Sequence, residues 1–268
     1  MMKKFFVLML ALFPLLANAQ FFTFLNEELY SSRVKLVDEF MERFNGRESR
    51  TDLVKKGVDD HKTNILLLFD LAMFQSKSDL RFLEAESFAQ NIVRDSIRIN
   101  YSDTTWCAKA KCHGTLSGKP VDFFLYLTVE HRKEDMYKWV LARAEGKIFN
   151  LDAPKEHKPF MLMPDDHETN FMSLYRMTAE TPSYIKDFMS KSNTLDQTSV
   201  FQTLVCAKLL KIEYVSELEF LFFQVPGYMF SIKHVERESL NAGWLISSFC
   251  KVDDYDKKEF LGWLYNNH

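Results

Sequence analysis

Three histidines are the residues best suited to proton transfer in this sequence. His113, His131 and His234 each stand at or near the end of a stretch with the alternating pattern of a β-strand. Histidine can act as a general acid or base near neutral pH when a second polar group orients it. The competing interpretation is a solvated surface histidine at each strand end. Asp70 interrupts an apolar run, so it is either a buried acid or a structural residue that lies on an exposed helix edge or bonds neighbouring backbone.

A cluster of metal-ligand residue types occurs later in the chain, at Asp165, Asp166, His167 and Glu168. Consecutive loop residues seldom all face one ion, and this spacing matches no defined ligand pattern. We therefore expect a solvated turn and no metal. Nucleotide-binding glycine patterns, a nucleophile-elbow serine and the H-E-x-x-H motif are missing from the sequence. No serine or cysteine nucleophile has a partner that spacing identifies, so we assign no catalytic residue and expect no cofactor.

Aromatic residues supply the candidate ligand-binding residues. Trp139 and Trp244 open two predicted strands, and Tyr137 shares a strand face with Trp139. These rings can line a pocket and stack on a ligand, although packing in the core is the competing interpretation.

Four cysteines are too few for a disulfide scaffold in a chain of 268 residues. Cys107 and Cys112 are five residues apart in one predicted strand, so they point to opposite faces and should not bond to each other. Cys206 and Cys250 can form a disulfide across neighbouring strands, or all four can be buried thiols.

The N-terminus has the pattern of a cleavable signal peptide over residues 1–19. Lys3 and Lys4 precede a short apolar run, which ends in Ala17-Asn18-Ala19 before Gln20. We expect an exported protein, periplasmic or secreted; an uncleaved leader would instead tether a periplasmic module to the membrane. The net charge of −3 leaves no basic excess to neutralise phosphates, so nucleic-acid binding is excluded.

Hydrophobic periodicity predicts helices followed by strands in the first half of the chain. The turn residues Ser117 and Gly118 predict a hairpin, and Ser78 and Asp79 have the residue types that cap and open a helix. The predicted helices cover 27–45, 61–75 and a segment from 80 to 97, and the predicted strands cover 106–113, 121–131 and 137–143.

A polar, proline-containing connection at 150–169 separates this half from a second one with a similar order. The predicted domains are 20–149 and 170–268. In the second half we predict helices at 170–178 and 183–192, strands at 200–215, 217–224, 227–236 and 242–251, and a closing helix at 255–266.

The two halves also share a local pattern of strand, charged turn and Trp-opening strand. Residues 124–134 precede Trp139, and residues 230–238 precede Trp244. Both a degenerate internal repeat and ordinary hairpin chemistry explain it. Helices followed by a curved antiparallel meander with a late Trp resemble the NTF2-like, cone-shaped α+β superfamily. The resemblance implies N-terminal helices packed on a curved sheet, in one or two such units, with a pocket at the open end of the cone. The Ala17-x-Ala19-Gln20 leader ending is similar to those of exported Bacteroidetes-type proteins.

The sequence therefore favours an exported, non-catalytic binding or assembly protein. The stretch Phe220-Leu221-Phe222-Phe223 is apolar on both strand faces and needs a cover from helices or from a partner. That partner is a small molecule, a protein or a further copy of the chain. The alternative is a small-molecule hydrolase or isomerase that uses a His or Asp in the cone.

Overall fold

The computed structural model describes residues 36–47, 61–132, 136–150, 185, 189–190, 195–238 and 241–265. The predicted leader, the acidic cluster at 165–168 and the helix at 170–178 lie outside them, as does most of the helix predicted at 183–192. Within the described residues the chain is an α+β protein with an open antiparallel sheet, which confirms the α+β class and the antiparallel sheet; the NTF2-like cone stays a prediction.

Five α-helices and six strands make up the described part of the chain. The helices are Val37–Phe44 (α1), His61–Leu67 (α2), Leu80–Arg94 (α3), Gln197–Cys206 (α4) and Asp254–Tyr265 (α5). The strands are Trp106–Leu116 (β1), Lys119–His131 (β2), Tyr137–Glu145 (β3), Leu210–Phe222 (β4), Tyr228–Val235 (β5) and Gly243–Lys251 (β6).

All six strands form one open sheet in the order β3-β2-β1-β4-β5-β6. The predicted hairpin between β1 and β2 is confirmed: Ser117 and Gly118 both have positive φ, at 50° and 81°. When both central residues of a two-residue turn have positive φ, the twist of the turn matches the twist of the two paired strands. Strands β1 to β3 precede the connection at 150–169, and β4 to β6 follow it. The two sets are joined in one sheet because β1 neighbours β4. Since nearly all of that connection lies outside the described residues, the domain boundary stays a prediction.

The helix predicted over 61–75 is shorter than expected, because strand β6 captures its continuation. α2 ends at Leu67, and Phe69 forms an isolated parallel bridge to Ile246. The Ile246 N–H donates to the Leu68 carbonyl at 2.7 Å, and the Asp70 N–H donates to the Ile246 carbonyl at 2.9 Å. These bonds place residues 68–70 in an extended conformation that a helix cannot adopt.

The strand predicted at 200–215 is wrong in its first part, where the structure has helix α4. Asp196 caps this helix by accepting a hydrogen bond from the Ser199 N–H at 2.7 Å, and Val200 and Phe201 are buried. A capping acid satisfies an otherwise unpaired helical N–H, which here outweighs the β-branched residues. The two strands predicted at 200–215 and 217–224 are a single strand, β4.

The chain forms two compact units. The first comprises Met1–Ala110, Tyr126–Ala142 and Glu217–His268. Its core is a cluster of phenylalanine rings from α1, α3 and the sheet. Phe44 stacks on Phe230 at 5.7 Å between ring centroids, and Phe88 meets Phe230 edge-on at 5.8 Å. Aromatic pairs in this range add about 1 kcal/mol each beyond the area that they bury.

The second unit comprises Lys111–Leu125 and Arg143–Ser216. Phe123, Phe149 and Phe201 form its centre, with ring centroids 5.5 to 6.0 Å apart. Helix α4 is tied to the end of β3, since the Gln197 side chain accepts from the Gly146 N–H at 2.9 Å. A Cβ on Gly146 would lie 2.9 Å from the Cβ of Phe123, so glycine leaves room for this ring cluster.

Candidate functional site

Asp70 takes part in a structural network of the first unit. Its carboxylate accepts from the Ala72 N–H at 3.0 Å and forms an ion pair with Arg237. The buried Asn241 joins the same network: its oxygen accepts from Arg237 at 2.8 Å, and its amide donates to the Phe69 carbonyl at 2.8 Å. Asp70 thus bonds nearby backbone, as one of the two predicted alternatives requires, and fixes the chain after α2.

The predicted pocket residues lie in the first unit, and two of them are packed against its core. Trp139 lies 6.2 Å and Trp244 lies 5.0 Å from Phe220 between ring centroids. Both indoles are partly buried against the core, whereas Tyr137 is exposed and lies 5.1 Å from His131. The structure therefore brings the two tryptophans together around one ring and leaves Tyr137 at the surface. Their role in ligand binding stays a prediction.

Two of the three histidines lie at the protein surface. His131 is exposed, and its described neighbour is the Tyr137 ring. His234 lies 3.8 Å from the Glu236 carboxylate and 5.5 Å from the Trp244 ring. Neither sits in an apolar pocket that would orient it for proton transfer.

A small pocket of about 170 Å³ lies where α1 and α3 end. His61 and Arg98 line it, and both bind backbone carbonyls at the end of α1. The His61 Nε2 is 2.8 Å from the Phe44 oxygen, and an Arg98 nitrogen is 3.3 Å from the Asn45 oxygen. These side chains satisfy carbonyl groups that lack partners at a helix end, so the pocket is explained by helix capping.

The third histidine, His113 in the second unit, belongs to a connected polar group. Its Nδ1 lies 2.7 Å from Oδ1 of Asp122, and its Nε2 lies 2.7 Å from Oγ of Ser216. The Tyr214 ring stacks on the imidazole at 4.7 Å between centroids, with 18° between the planes. We call these four residues the His113 group. A carboxylate accepts only, so Nδ1 carries the proton and Nε2 accepts from the serine hydroxyl.

Local structure accounts for each member of the His113 group. The two-residue turn at Ser117 and Gly118 places Asp122 of β2 directly opposite His113 of β1. Gly114 lets β4 approach β1 closely, because a Cβ at this position would clash with the Lys211 carbonyl oxygen. The close approach brings the side chains of β4 within reach of His113.

Strand β4 has an open edge beside this group. The Ser117 N–H donates to the Leu209 carbonyl at 2.8 Å, and the Phe223 N–H donates to the Thr105 carbonyl at 3.0 Å, so β1 borders β4 at both ends. The backbone groups of every second residue of a strand face the side away from such a neighbour. The described β4–β5 pairing covers Glu219 to Phe222, so no described strand pairs with the far side of β4 between residues 211 and 218. We call residues 211–218 the open edge.

Apolar side chains surround the open edge. Residues 211 to 218 of β4 are exposed or half-buried throughout, although the strand lies in the middle of the sheet order. Tyr214 is 58% exposed and Val215, which points to the other face, is 51% exposed. An unpaired strand edge with apolar residues on both faces favours pairing with another strand.

Comparison with known proteins adds no assignment. No protein-family model, no curated protein and no solved structure matches this chain. In the described part of the chain, no helix is long and apolar enough to cross a membrane. Among the same residues, no group of three or more His, Cys, Asp or Glu side chains is placed to hold a metal ion.

Residue type and spacing alone do not identify three members of the His113 group, Asp122, Tyr214 and Ser216. The predicted hairpin carries the signal for Asp122, because its turn already places residue 122 opposite residue 113. Ser216 has no such signal, since it reaches His113 through the pairing of two strands about a hundred residues apart.

Proposed function

We propose that this chain is an exported assembly protein that binds a second copy of itself through the open edge of β4. The observation that carries the proposal is the run of exposed residues in β4 beside backbone groups that no described strand satisfies. Hydrogen-bonding groups and apolar side chains together are what one strand offers another in edge pairing.

Charge complementarity favours a second copy as the partner. Lys211 and Glu213 are two residues apart on one face of β4, with Ile212 between them. In an antiparallel pairing centred on Ile212, Lys211 of one copy stands opposite Glu213 of the other, and the reverse holds across the two-fold axis. Side chains that stand directly opposite each other in an antiparallel pair are close enough to interact.

The same centre suits the apolar side chain of Ile212. Ile212 is 39% exposed in the single chain, and the pairing would bring the two Ile212 side chains together. One symmetric contact thus pairs the charges of Lys211 and Glu213 and also covers the exposed side chain of Ile212.

Export and the NTF2-like cone belong to this proposal. The pattern of residues 1–20 supports export. The order of helices followed by an antiparallel meander supports the NTF2-like resemblance, and the symmetric strand order about β1 and β4 supports two related halves.

A charge swap tests the symmetric pairing. We expect Lys211→Glu to place Glu opposite Glu twice and to raise the dimer dissociation constant about tenfold. The double variant Lys211→Glu/Glu213→Lys restores both opposite-charge pairs and should recover wild-type affinity. Sedimentation velocity across a concentration series measures both values. A monomeric wild type, or a double variant as weak as the single one, would contradict the proposal.

A further inference from the structure

The His113 group contains the first three parts of a serine nucleophile site. The Ser216 hydroxyl can pass its proton to Nε2 of His113, and Asp122 holds the proton on Nδ1. In acyl-transfer enzymes these roles belong to nucleophile, general base and orienting carboxylate. The 2.7 Å separations are already within hydrogen-bond reach, so no rearrangement is needed for the proton to move.

The surroundings of the imidazole hold its geometry. Tyr214 stacks on the ring, and His113 is 22% exposed, so the ring has little freedom to turn. Asp122 is 67% exposed, and water therefore competes for its carboxylate. We expect Asp122 to contribute less than His113, as a positioning residue.

We propose that Ser216 is a nucleophile for short acyl esters, with His113 as its base. Oγ of Ser216 attacks the carbonyl carbon and its proton moves to Nε2 of His113. The ester C–O bond then breaks, and the leaving alcohol takes that proton. Water attacks the acyl-serine, gives a proton to His113, and Ser216 leaves with that proton restored. The products are the acid and the alcohol, with no change in oxidation state.

The site is suited to activated esters rather than amides. Loss of a single oxyanion donor typically lowers turnover about 10²- to 10³-fold in such sites, and the side chains of Ser216, His113 and Asp122 supply no such donor. We therefore expect slow turnover and a readily detected covalent intermediate. The inference does not depend on dimer formation, because in the register about Ile212 the paired segment ends at Tyr214, before Ser216.

The test uses the full chain and an alkyl fluorophosphonate. Attack by Ser216 forms an O–P bond and releases fluoride, which leaves one adduct per chain in intact-mass spectra. We expect peptide mapping to place the adduct on Ser216. Ser216→Ala should abolish labelling. Ser248→Ala is the matched control and should label as wild type, because Ser248 bonds another serine, Ser231, at 2.8 Å.

Chemical rescue distinguishes a role of His113 in proton transfer from a role in stabilising the fold. We expect His113→Ala to slow labelling about 10²-fold or more, and added imidazole to restore part of the rate. Asp122→Asn should slow labelling several-fold, yet have no further effect in the His113→Ala background. Thermal unfolding of each variant verifies that it folds. A wild type that takes no label, labelling that survives Ser216→Ala, or a His113→Ala variant that labels at the wild-type rate would overturn the assignment.

Discussion

At the scale of single residues, burial decides which cysteines can react. All four are free thiols. Cys107 and Cys112 are buried in β1, and burial raises the pKa of Cys107 to about 12 and also raises that of Cys112. Cys206 and Cys250 are exposed. Cys206 lies in α4 and not in a strand, and forms no disulfide with Cys250.

We expect two thiols, Cys206 and Cys250, to react with a disulfide reagent in the native protein at pH 8, both faster than the buried pair. Cys250 should be the slower of the two, because partial burial and the nearby Asp256 and Glu84 raise its pKa. At a pKa of about 12, about one Cys107 side chain in ten thousand is a thiolate at that pH, against about one in ten for a free thiol. Because the folded pKa of Cys107 is raised above the unfolded value of 9.0, this group destabilises the fold only as the pH rises from 9 towards 12.

Thiol titration with and without denaturant makes this measurement. Peptide mapping should find Cys206 and Cys250 modified in the native state, and Cys107 and Cys112 only after unfolding. Native modification of Cys107 would contradict the described packing of β1. Cys206→Ser and Cys250→Ser should each remove one fast thiol and serve as controls.

Only part of the His113 group could be predicted from the sequence. His113 was recognisable by type, and Asp122 follows from the hairpin. Ser216 and the open edge were not predictable, because both depend on the pairing of β4 with β1. The tryptophans have the aromatic character expected of pocket residues, but side-chain type alone cannot separate a pocket wall from core packing.

At the scale of elements, capping residues determine where helices begin. Asp79 accepts hydrogen bonds from the Gln75 N–H at 3.1 Å and the Arg81 N–H at 2.9 Å, at the start of α3. The sequence analysis expected a capping hydroxyl with an acid in the first turn, but Asp79 itself is the cap and Ser78 bonds Ser76 at 3.0 Å. Serine and aspartate are both good caps, so residue types alone left the register open by one position.

This cap should make stability depend on pH. The two backbone hydrogen bonds lower the pKa of Asp79 from 3.8, the bond from Gln75 contributing most. A lowered folded pKa means that the contribution is present above pH 3.8 and is lost as the pH falls through the folded pKa. We expect Asp79→Ala to lower the unfolding midpoint at pH 7, and the difference from wild type to shrink below pH 3.8.

Ser78→Ala is the matched control for this prediction. It removes the neighbouring hydroxyl but leaves both bonds to Asp79, so its midpoint should stay near that of wild type at every pH. Urea unfolding of the three proteins between pH 7 and pH 3 gives the comparison. An Asp79→Ala deficit that does not change with pH, or a larger effect of Ser78→Ala, would assign the cap to another group.

Two predicted element boundaries are wrong because hydrogen bonds override the composition of the segment. The apolar run at 65–74 has the composition of a helix, yet β6 captures residues 68–70 as an extended segment. The segment Val200 to Cys206 has the composition of a strand, yet Asp196 starts a helix there. In both cases a hydrogen bond outweighed intrinsic propensity, which is a weak preference. In β1, the alternating residues Ala108, Ala110 and Cys112 are buried.

At the scale of the whole molecule, the α+β class followed from the change in hydrophobic period from helices to strands. That the strands of both halves join in one sheet did not follow, because the β1–β4 contact is long-range. The high phenylalanine content, 25 residues, indicated an aromatic core, and Phe44, Phe88 and Phe230 are buried as that composition implies.

The measurement that tests the central claim most directly is residue-resolved amide hydrogen exchange of the full chain at a low and a high protein concentration. Successive N–H groups of residues 211–216 alternate between the β1 side and the open side of the strand. We expect the open-side set to exchange quickly in dilute protein and slowly in concentrated protein, with the β1-side set protected in both. Lys211→Glu should shift that protection to higher concentration. Exchange of residues 211–216 that is the same at both concentrations would contradict self-association through β4.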